Sequence, residues 1–123
     1  MTFNGKQLAA LVKMGVSMAL ADGRLADEER ITIVMELASF GVTEDQAAGL
    51  LDAAQSMEAS EALSVLSNMT QEQKKYATGY MAVVMAADGN IADDEVKLWQ
   101  LVSTLCSFPT MSIREAYDFW KQN

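Results

Sequence analysis

A nine-residue segment occurs twice in this chain of 123 residues, at residues 21–29 and again at 87–95. Six of its nine positions are identical at an offset of 66 residues, including an Ala-Asp-Gly triplet and the final glutamate. Each copy stands between two stretches with helical periodicity. We therefore predict two helix–loop–helix–helix halves with an internal pseudo-two-fold, because two units are fewer than a solenoid requires.

Apolar residues recur along the chain at the spacing of helices with one buried face, and no strand-like alternation persists. Proline occurs once and glycine seven times, so little interrupts this pattern. The sequence predicts an all-α fold of about seven helices in one compact domain, residues 1–123. The predicted helices cover about residues 5–21, 27–40, 58–68, 71–87 and 93–106, with a third helix after Thr43 and a last one after Ser112.

Short polar motifs predict where several helices begin and end. In a capping box, a Ser or Thr side chain and a Gln or Glu three residues later satisfy backbone N–H groups reciprocally. Gly41 follows the second predicted helix and is expected to be its left-handed C-cap. The three predicted capping boxes are Thr43 with Gln46, Thr70 with Gln73, and Ser112 with Glu115.

The apolar spacing also predicts which side chains are buried. Phe119 falls outside the buried face of the last helix. If exposed, it is either a dimer or partner contact or one of the single exposed apolar residues that are normal on a protein surface. Cys106 is expected to be a packed core thiol. The helical methionines are expected to fill gaps in the core, the alternative being a methionine-rich groove for a partner helix beside the loops. These methionines are Met14, Met18, Met35, Met81 and Met85. The predicted faces of the second, sixth and last helices are Ile31, Val34, Met35 and Ala38; Leu98, Leu101, Val102 and Leu105; and Ile113, Ala116, Tyr117 and Trp120.

The composition excludes several classes of function. Seventeen acidic against nine basic residues give a net charge of −8, which disfavours binding to nucleic acid. The chain has no histidine, which removes imidazole metal sites and histidine-dependent catalysis. No apolar run reaches the roughly 18 residues of a membrane span, so direct membrane insertion is not expected. A single cysteine makes no internal disulfide, and we expect a cytoplasmic protein.

Each repeated segment matches the second half of an EF-hand calcium loop. There an Asp ligand precedes the Gly of a sharp turn, and a Glu six residues after that Gly closes the site. The first half of the EF-hand loop is missing, so one segment supplies too few oxygens for calcium. Two segments brought together would supply more, and an all-carboxylate set suits only hard cations such as calcium, magnesium or manganese. The metal candidates of this pattern are Asp22, Glu29, Asp88 and Glu95.

A purely structural interpretation of the same residues stands beside this hypothesis. Glu29 and Glu95 fall near the third position of a helix, where a Glu reaches back to the loop backbone. Acidic residues in the first turn also complement the helix dipole. Capping therefore explains most of these residues, although it does not explain why both halves keep the same Asp-Gly segment. A site shared by the two segments would explain it, and so would turn geometry inherited after a duplication.

The two acidic segments resemble those of the tellurite-resistance TerB-like family, over about residues 5–122. This resemblance implies a bundle of about seven helices with internal pseudo-symmetry, a place in bacterial stress response, and divalent-metal binding by the loop acids. The loop acids to which it carries metal binding are Asp22, Asp88, Glu29 and Glu95, followed by Asp27 and Asp93, with Glu28 and Asp94 as weaker candidates. A related domain forms the cytosolic part of some membrane-anchored DnaJ-type co-chaperones. We expect no J-domain, anchor or extra tail in this chain, so those partner functions are not carried over.

Three hypotheses about function follow. The first is a stress-response module that binds a divalent cation weakly through its two Asp-Gly segments. The second is a metal-free helical module that binds a protein partner, whose identity the sequence leaves open together with the oligomeric state. The third is an enzyme that uses paired carboxylates, which we do not expect, because no motif specifies a substrate. Converging carboxylates would favour the first hypothesis, whereas glutamates folded back onto their own helices would favour the second.

Overall fold

The computed structural model describes residues 2–21, 27–87 and 89–122. This part of the chain forms seven α-helices and one short 3-10 helix and contains no strand, which confirms the predicted all-α fold. The α-helices are α1 (Gly5–Ala19), α2 (Asp27–Met35), α3 (Glu44–Ser56), α4 (Ala59–Ser67), α5 (Gln71–Met85), α6 (Asp93–Leu105) and α7 (Ile113–Gln122), and the 3-10 helix, Glu36–Phe40, continues α2.

All three predicted capping boxes are present. The Thr43 N–H donates to Gln46 Oε1 at 2.9 Å, and the Thr70 box is equivalent. At the start of α7, two hydrogen bonds with Ser112 lower the pKa of Glu115. The bond from the Ser112 backbone has the larger effect, and the bond with its side chain the smaller one. A fourth box, which the sequence analysis did not predict, opens α1 with Asn4 and Gln7. It lies 66 residues before the Thr70 box.

The helix α5 lies in the middle of the bundle. Every residue from 77 to 85 is buried, so the helix is covered on all sides. The helices α1 and α7 pack against it, and α3 and α4 pack against α1. The contact between α5 and α7 is close, because a Cβ on Gly79 would lie 3.1 Å from both the Ala116 carbonyl oxygen and Trp120 Cβ.

The helices α1 and α5 run parallel and in register. Near their N-termini, Gln73 Nε2 donates to Gln7 Oε1 at 3.3 Å. About two turns further along, a Cβ on Gly15 would lie only 3.1 Å from the ring of Tyr80. The two contacts join residues 66 and 65 apart, so the pair stays in register over this length. The C-terminal ends of α1 and α5 therefore lie at the same end of the bundle.

The remaining contacts pair equivalent elements of the two halves. The helix α3 packs against α1 as α7 packs against α5, while α2 contacts α5 and α6 contacts α1. The helix α4 has no counterpart and connects the halves. The internal pseudo-two-fold remains a prediction, which these pairings support.

The predicted buried faces of α2 and α6 are wrong in phase. In α2 and the 3-10 helix, Glu29, Ile33 and Leu37 are buried, whereas Met35 is 66% exposed. In α6 the buried side chains include Glu95 and Trp99. The exposed residues that were predicted to be buried are Ile31, Met35, Ala38, Leu101 and Leu105.

The error has one physical cause in both helices. A face chosen from apolar residues alone omits the first buried residue, because that residue is a carboxylate. Once Glu29 and Glu95 turn inward, residues four positions later lie on the same face. The positions that follow are Ile33 and Trp99, and both are buried.

The 3-10 helix is tied to α7 by polar contacts. Trp120 Nε1 donates to Glu36 Oε2 at 2.7 Å, and Lys121 Nζ lies 3.2 Å from Glu36 Oε1. The Trp120 ring also meets the Phe40 ring edge-on, with centroids 5.1 Å apart. These contacts join the first half of the chain to its last helix.

Phe119, which the sequence places outside the buried face of α7, is not exposed. It is half-buried, and its ring packs edge-on against Tyr76 with centroids 5.0 Å apart. Lys75 Nζ lies 4.6 Å from the centre of the Phe119 ring. Phe119 therefore helps to hold α7 against α5.

Two helix ends use the same left-handed turn in the two halves. Gly41 (φ 79°) follows the 3-10 helix, as predicted, and Ser107 (φ 55°) follows α6 exactly 66 residues later. Both turns form the hydrogen-bond pair of a Schellman motif, with Val42 N donating to Leu37 O and Phe108 N donating to Ser103 O. Ser107 carries a Cβ in a conformation that favours glycine.

Replacing Ser107 by the residue of the equivalent turn should stabilise the protein. We expect Ser107→Gly to raise the free energy of unfolding by about 0.5–1 kcal/mol, because it relieves left-handed strain. The reciprocal change Gly41→Ser should lower it by about 1–2 kcal/mol, since a Cβ at Gly41 meets nothing within 4 Å and adds strain alone. Urea unfolding of both variants measures these differences. Destabilisation by Ser107→Gly would contradict this interpretation of the turn.

Candidate functional site

The structure describes four of the six main metal candidates. Asp22 and Asp88 lie outside the described residues. Glu29 and Glu95 begin the buried faces of α2 and α6, and each side chain is only 1% exposed. Both glutamates stand 66 residues apart, at the same position of equivalent helices. A buried carboxylate needs polar partners, because its transfer from water is costly.

Glu95 folds back onto the start of its own helix. Its Oε1 accepts a hydrogen bond from the Ala92 N–H at 3.0 Å, as the capping interpretation predicts. This bond satisfies one of the N–H groups that every helix N-terminus leaves without an intrahelical partner. The corresponding contact of Glu29 would involve residue 26, which lies outside the described residues.

The other acidic candidates face solvent. Asp27 is exposed and pairs with Arg30, with Arg30 Nη2 2.6 Å from Asp27 Oδ1. Asp93 is exposed, as are the weaker candidates Glu28 and Asp94. Within residues 2–21, 27–87 and 89–122, no three acidic or cysteine side chains are grouped closely enough to hold a metal ion. The described carboxylates alone therefore form no such group, and the metal hypothesis depends on Asp22 and Asp88.

Both acidic segments begin at one end of the parallel α1–α5 pair. The helix α1 ends at Ala19 and is capped by Leu20, with φ −86° and ψ −3°. The helix α5 ends at Met85 and is capped by Ala86, with φ −86° and ψ −1°. The two helices thus end in the same way, 66 residues apart. The chain enters both Asp-Gly segments from neighbouring points with the same backbone direction.

Tyr80 fixes α2 relative to α5. Its hydroxyl donates to the Ile33 carbonyl at 2.8 Å, one turn after Glu29. Burial raises the pKa of Tyr80 far above its ordinary value, and the negative charge of Glu36 raises it further. The phenol therefore stays protonated and keeps this hydrogen bond while the protein is folded.

An apolar cleft lies beside the second acidic segment, where α7 passes the end of α5. It encloses about 400 Å³, and we call it the α7 cleft. The apolar pattern of the sequence does not reveal this cleft. When α3 and α7 are aligned at their first residues, which are 69 positions apart, α7 has Ile113 and Tyr117 where α3 has Glu44 and Ala48. This apolar substitution is the signal that could have indicated the cleft. Its lining residues are Ala86, Ile91, Ile113, Arg114, Tyr117 and Asp118.

The predictions for the sulfur-containing side chains are largely confirmed. Met14, Met18, Met81 and Met85 are buried in the core, and Met35 is the exception. Cys106 is also buried, and its sulfur lies 3.6 Å from the Leu63 carbonyl oxygen. Four of the five helical methionines thus fill the core instead of lining a groove beside the loops.

Comparison with known proteins identifies the family. The sequence profile of the family described as tellurite resistance protein TerB matches residues 6–117, and the chain therefore belongs to this family. A protein of unknown function from Porphyromonas gingivalis W83, whose crystal structure is known, is 45% identical to this chain in sequence. The two structures superpose with a TM-score of 0.88. The alignment covers 98% of this chain and 92% of that one. Among curated proteins, no sequence matches this chain.

At the level of the family, the chain is a tellurite-resistance-related helical module. The similarity to the Porphyromonas protein extends over nearly the whole of both chains, so the two share the fold. None of the described helices is both long and apolar enough to cross a membrane.

The contribution of the Tyr80 hydroxyl to the free energy of unfolding depends on pH in the alkaline range. At pH 7, Tyr80→Phe should lower the free energy of unfolding by about 1–3 kcal/mol, because the buried Ile33 carbonyl loses its donor. Above about pH 10 the unfolded tyrosine ionises while the folded one does not, so the wild type loses stability and this difference shrinks by up to about 1.4 kcal/mol per pH unit. Urea unfolding of both proteins at several pH values measures it. A difference that stays constant above pH 10 would contradict this assignment.

Proposed function

We propose that this chain is a cytoplasmic stress-response module of the TerB family that binds one divalent cation weakly. The ion would lie near the C-terminal ends of α1 and α5, where the two acidic segments begin. Asp22 and Asp88 would hold it, with Glu29 and Glu95 at the start of the following helices. Water would complete its coordination.

The parallel register of α1 and α5 is the observation that carries this proposal. Packed helices lie about 8–10 Å apart, so the two segments start close together. Two carboxylates that share one calcium ion each have an oxygen about 2.3–2.6 Å from it. An antiparallel pair would have separated the segments by the length of a helix, about 22 Å for 15 residues.

The chemistry of the donors limits the choice of metal. All candidate ligands are carboxylates, and the chain contains no histidine. Oxygen donors suit calcium, magnesium and manganese, whereas zinc and copper favour nitrogen or sulfur ligands. Few charges and much residual water place the affinity at the weak end of calcium sites, with a Kd of about 10⁻⁴ to 10⁻³ M.

The geometry of Glu95 supports a second candidate function. A glutamate that caps its own helix needs no metal, and Asp27 and Asp93 face solvent. In this alternative the loop acids are structural, and the module acts only by binding a protein partner. A carboxylate enzyme has less support, because the α7 cleft is lined by a single acid, the exposed Asp118.

Thermal unfolding with and without calcium tests the first candidate. Protein stripped with EDTA should gain about 1–2.3 kcal/mol in about 5 mM calcium at the expected affinity. For a chain of this size, that gain corresponds to an upward shift of several degrees in Tm. The combined variant Asp22→Ala and Asp88→Ala should show no such shift.

Two controls separate a bound ion from general screening of the net charge. A sodium chloride sample of the same ionic strength should give a smaller shift than calcium. The combined variant Asp45→Ala and Asp52→Ala removes two exposed acids from α3 and should respond to calcium as the wild type does. Equal shifts in calcium and matched salt would reject the cation site and leave the metal-free module.

A further inference from the structure

We infer that the α7 cleft is a docking surface for a cationic amphipathic helix of a partner protein. An apolar side chain of that helix would enter the cleft, and its lysine or arginine side chains would meet the acidic residues around it. This inference stands whether or not a cation binds at the Asp-Gly segments.

The cleft has the form and chemistry of an anchor site. Four of its lining residues, Ala86, Ile91, Ile113 and Tyr117, offer mainly apolar atoms, and the cleft opens to solvent. Its volume of about 400 Å³ lies within the usual range of small binding sites. Amphipathic helices bind to such surfaces through apolar residues spaced one turn apart.

The cleft belongs to the second half alone. On one wall, the small side chain of Ala86 stands at the position that Leu20 occupies in the first half. The two residues have the same backbone conformation. On the other wall, Ile113 and Tyr117 replace Glu44 and Ala48, which are both exposed. The first half forms the equivalent helix end without this apolar wall, so the repeated turn does not require it.

The negative charge of the chain, together with acidic residues at the cleft and close to it in sequence, favours a basic partner. Asp118 lines it, and Asp93 and Asp94 are exposed shortly after Ile91. Arg114 Nε lies 3.6 Å from Asp118 Oδ2, but both side chains are largely exposed, so this ion pair is weak and leaves Asp118 accessible to a partner cation. A net charge of −8 attracts a basic partner and repels a second copy of this chain.

A synthetic peptide provides the probe. We would use a fluorescein-labelled helix of leucine and lysine, about four turns long, and measure fluorescence anisotropy. The wild type should bind it, and a leucine–glutamate peptide of the same length should not bind. Ala86→Leu, which gives the cleft the residue of the first half, should weaken binding at least about tenfold. The same variant should unfold at or above the wild-type Tm, because Leu20 adopts the same conformation.

The matched control is Ala48→Leu, which makes the same change on the exposed face of α3. It should leave the affinity unchanged. Equal affinity of wild type and Ala86→Leu would overturn the inference, because binding would then be general charge attraction. Absence of binding by the wild type would overturn it as well. Self-association of the chain that Ala86→Leu abolishes would assign the cleft to a second copy and also reject a basic partner.

Discussion

The parallel packing of α1 against α5 is the contact on which the rest of the structure depends. Gly15 allows the Tyr80 ring to lie against the backbone of α1, and the Gln7–Gln73 pair fixes the other end. Because the two helices are in register, their equivalent ends bring equivalent segments together. The same contact places Tyr80 where its hydroxyl donates to the Ile33 carbonyl of α2. This hydrogen bond lies one turn after the buried Glu29 and orients the face of α2 that carries it.

The positions of the helices could be predicted from the sequence because local contacts determine where each helix begins and ends. Thr43, Thr70 and Ser112 satisfy N–H groups within their own first turn, and Gly41 adopts a conformation that few other residues favour. Burial depends instead on distant partners. Met35 and Leu101 fit an apolar helical face but are exposed, because the buried phase of each helix begins with a glutamate. The α7 cleft also escaped prediction, since it forms where three elements meet.

For the candidate site, sequence and structure contribute different parts. The repeat identified the acidic residues, and the structure supplied the register that relates the two copies. Glu29 and Glu95 are buried to the same extent, so this position lies in the core in both halves. Capping accounts for the hydrogen bond of Glu95 to Ala92, whereas Asp22 and Asp88 remain the residues through which cation binding must be tested. Membership of the TerB family gives the setting of tellurite resistance without identifying a partner.

A calcium titration followed by nitrogen–proton correlation NMR tests most directly whether the two acidic segments act as one site. If they share an ion, the amide signals of Gly23 and Gly89 shift along a single saturation curve, with one Kd of about 10⁻⁴ to 10⁻³ M. Magnesium at the same concentration and matched sodium chloride separate ion selectivity from screening. Two different Kd values, a response at only one glycine, or no response beyond that of sodium chloride would contradict a shared site.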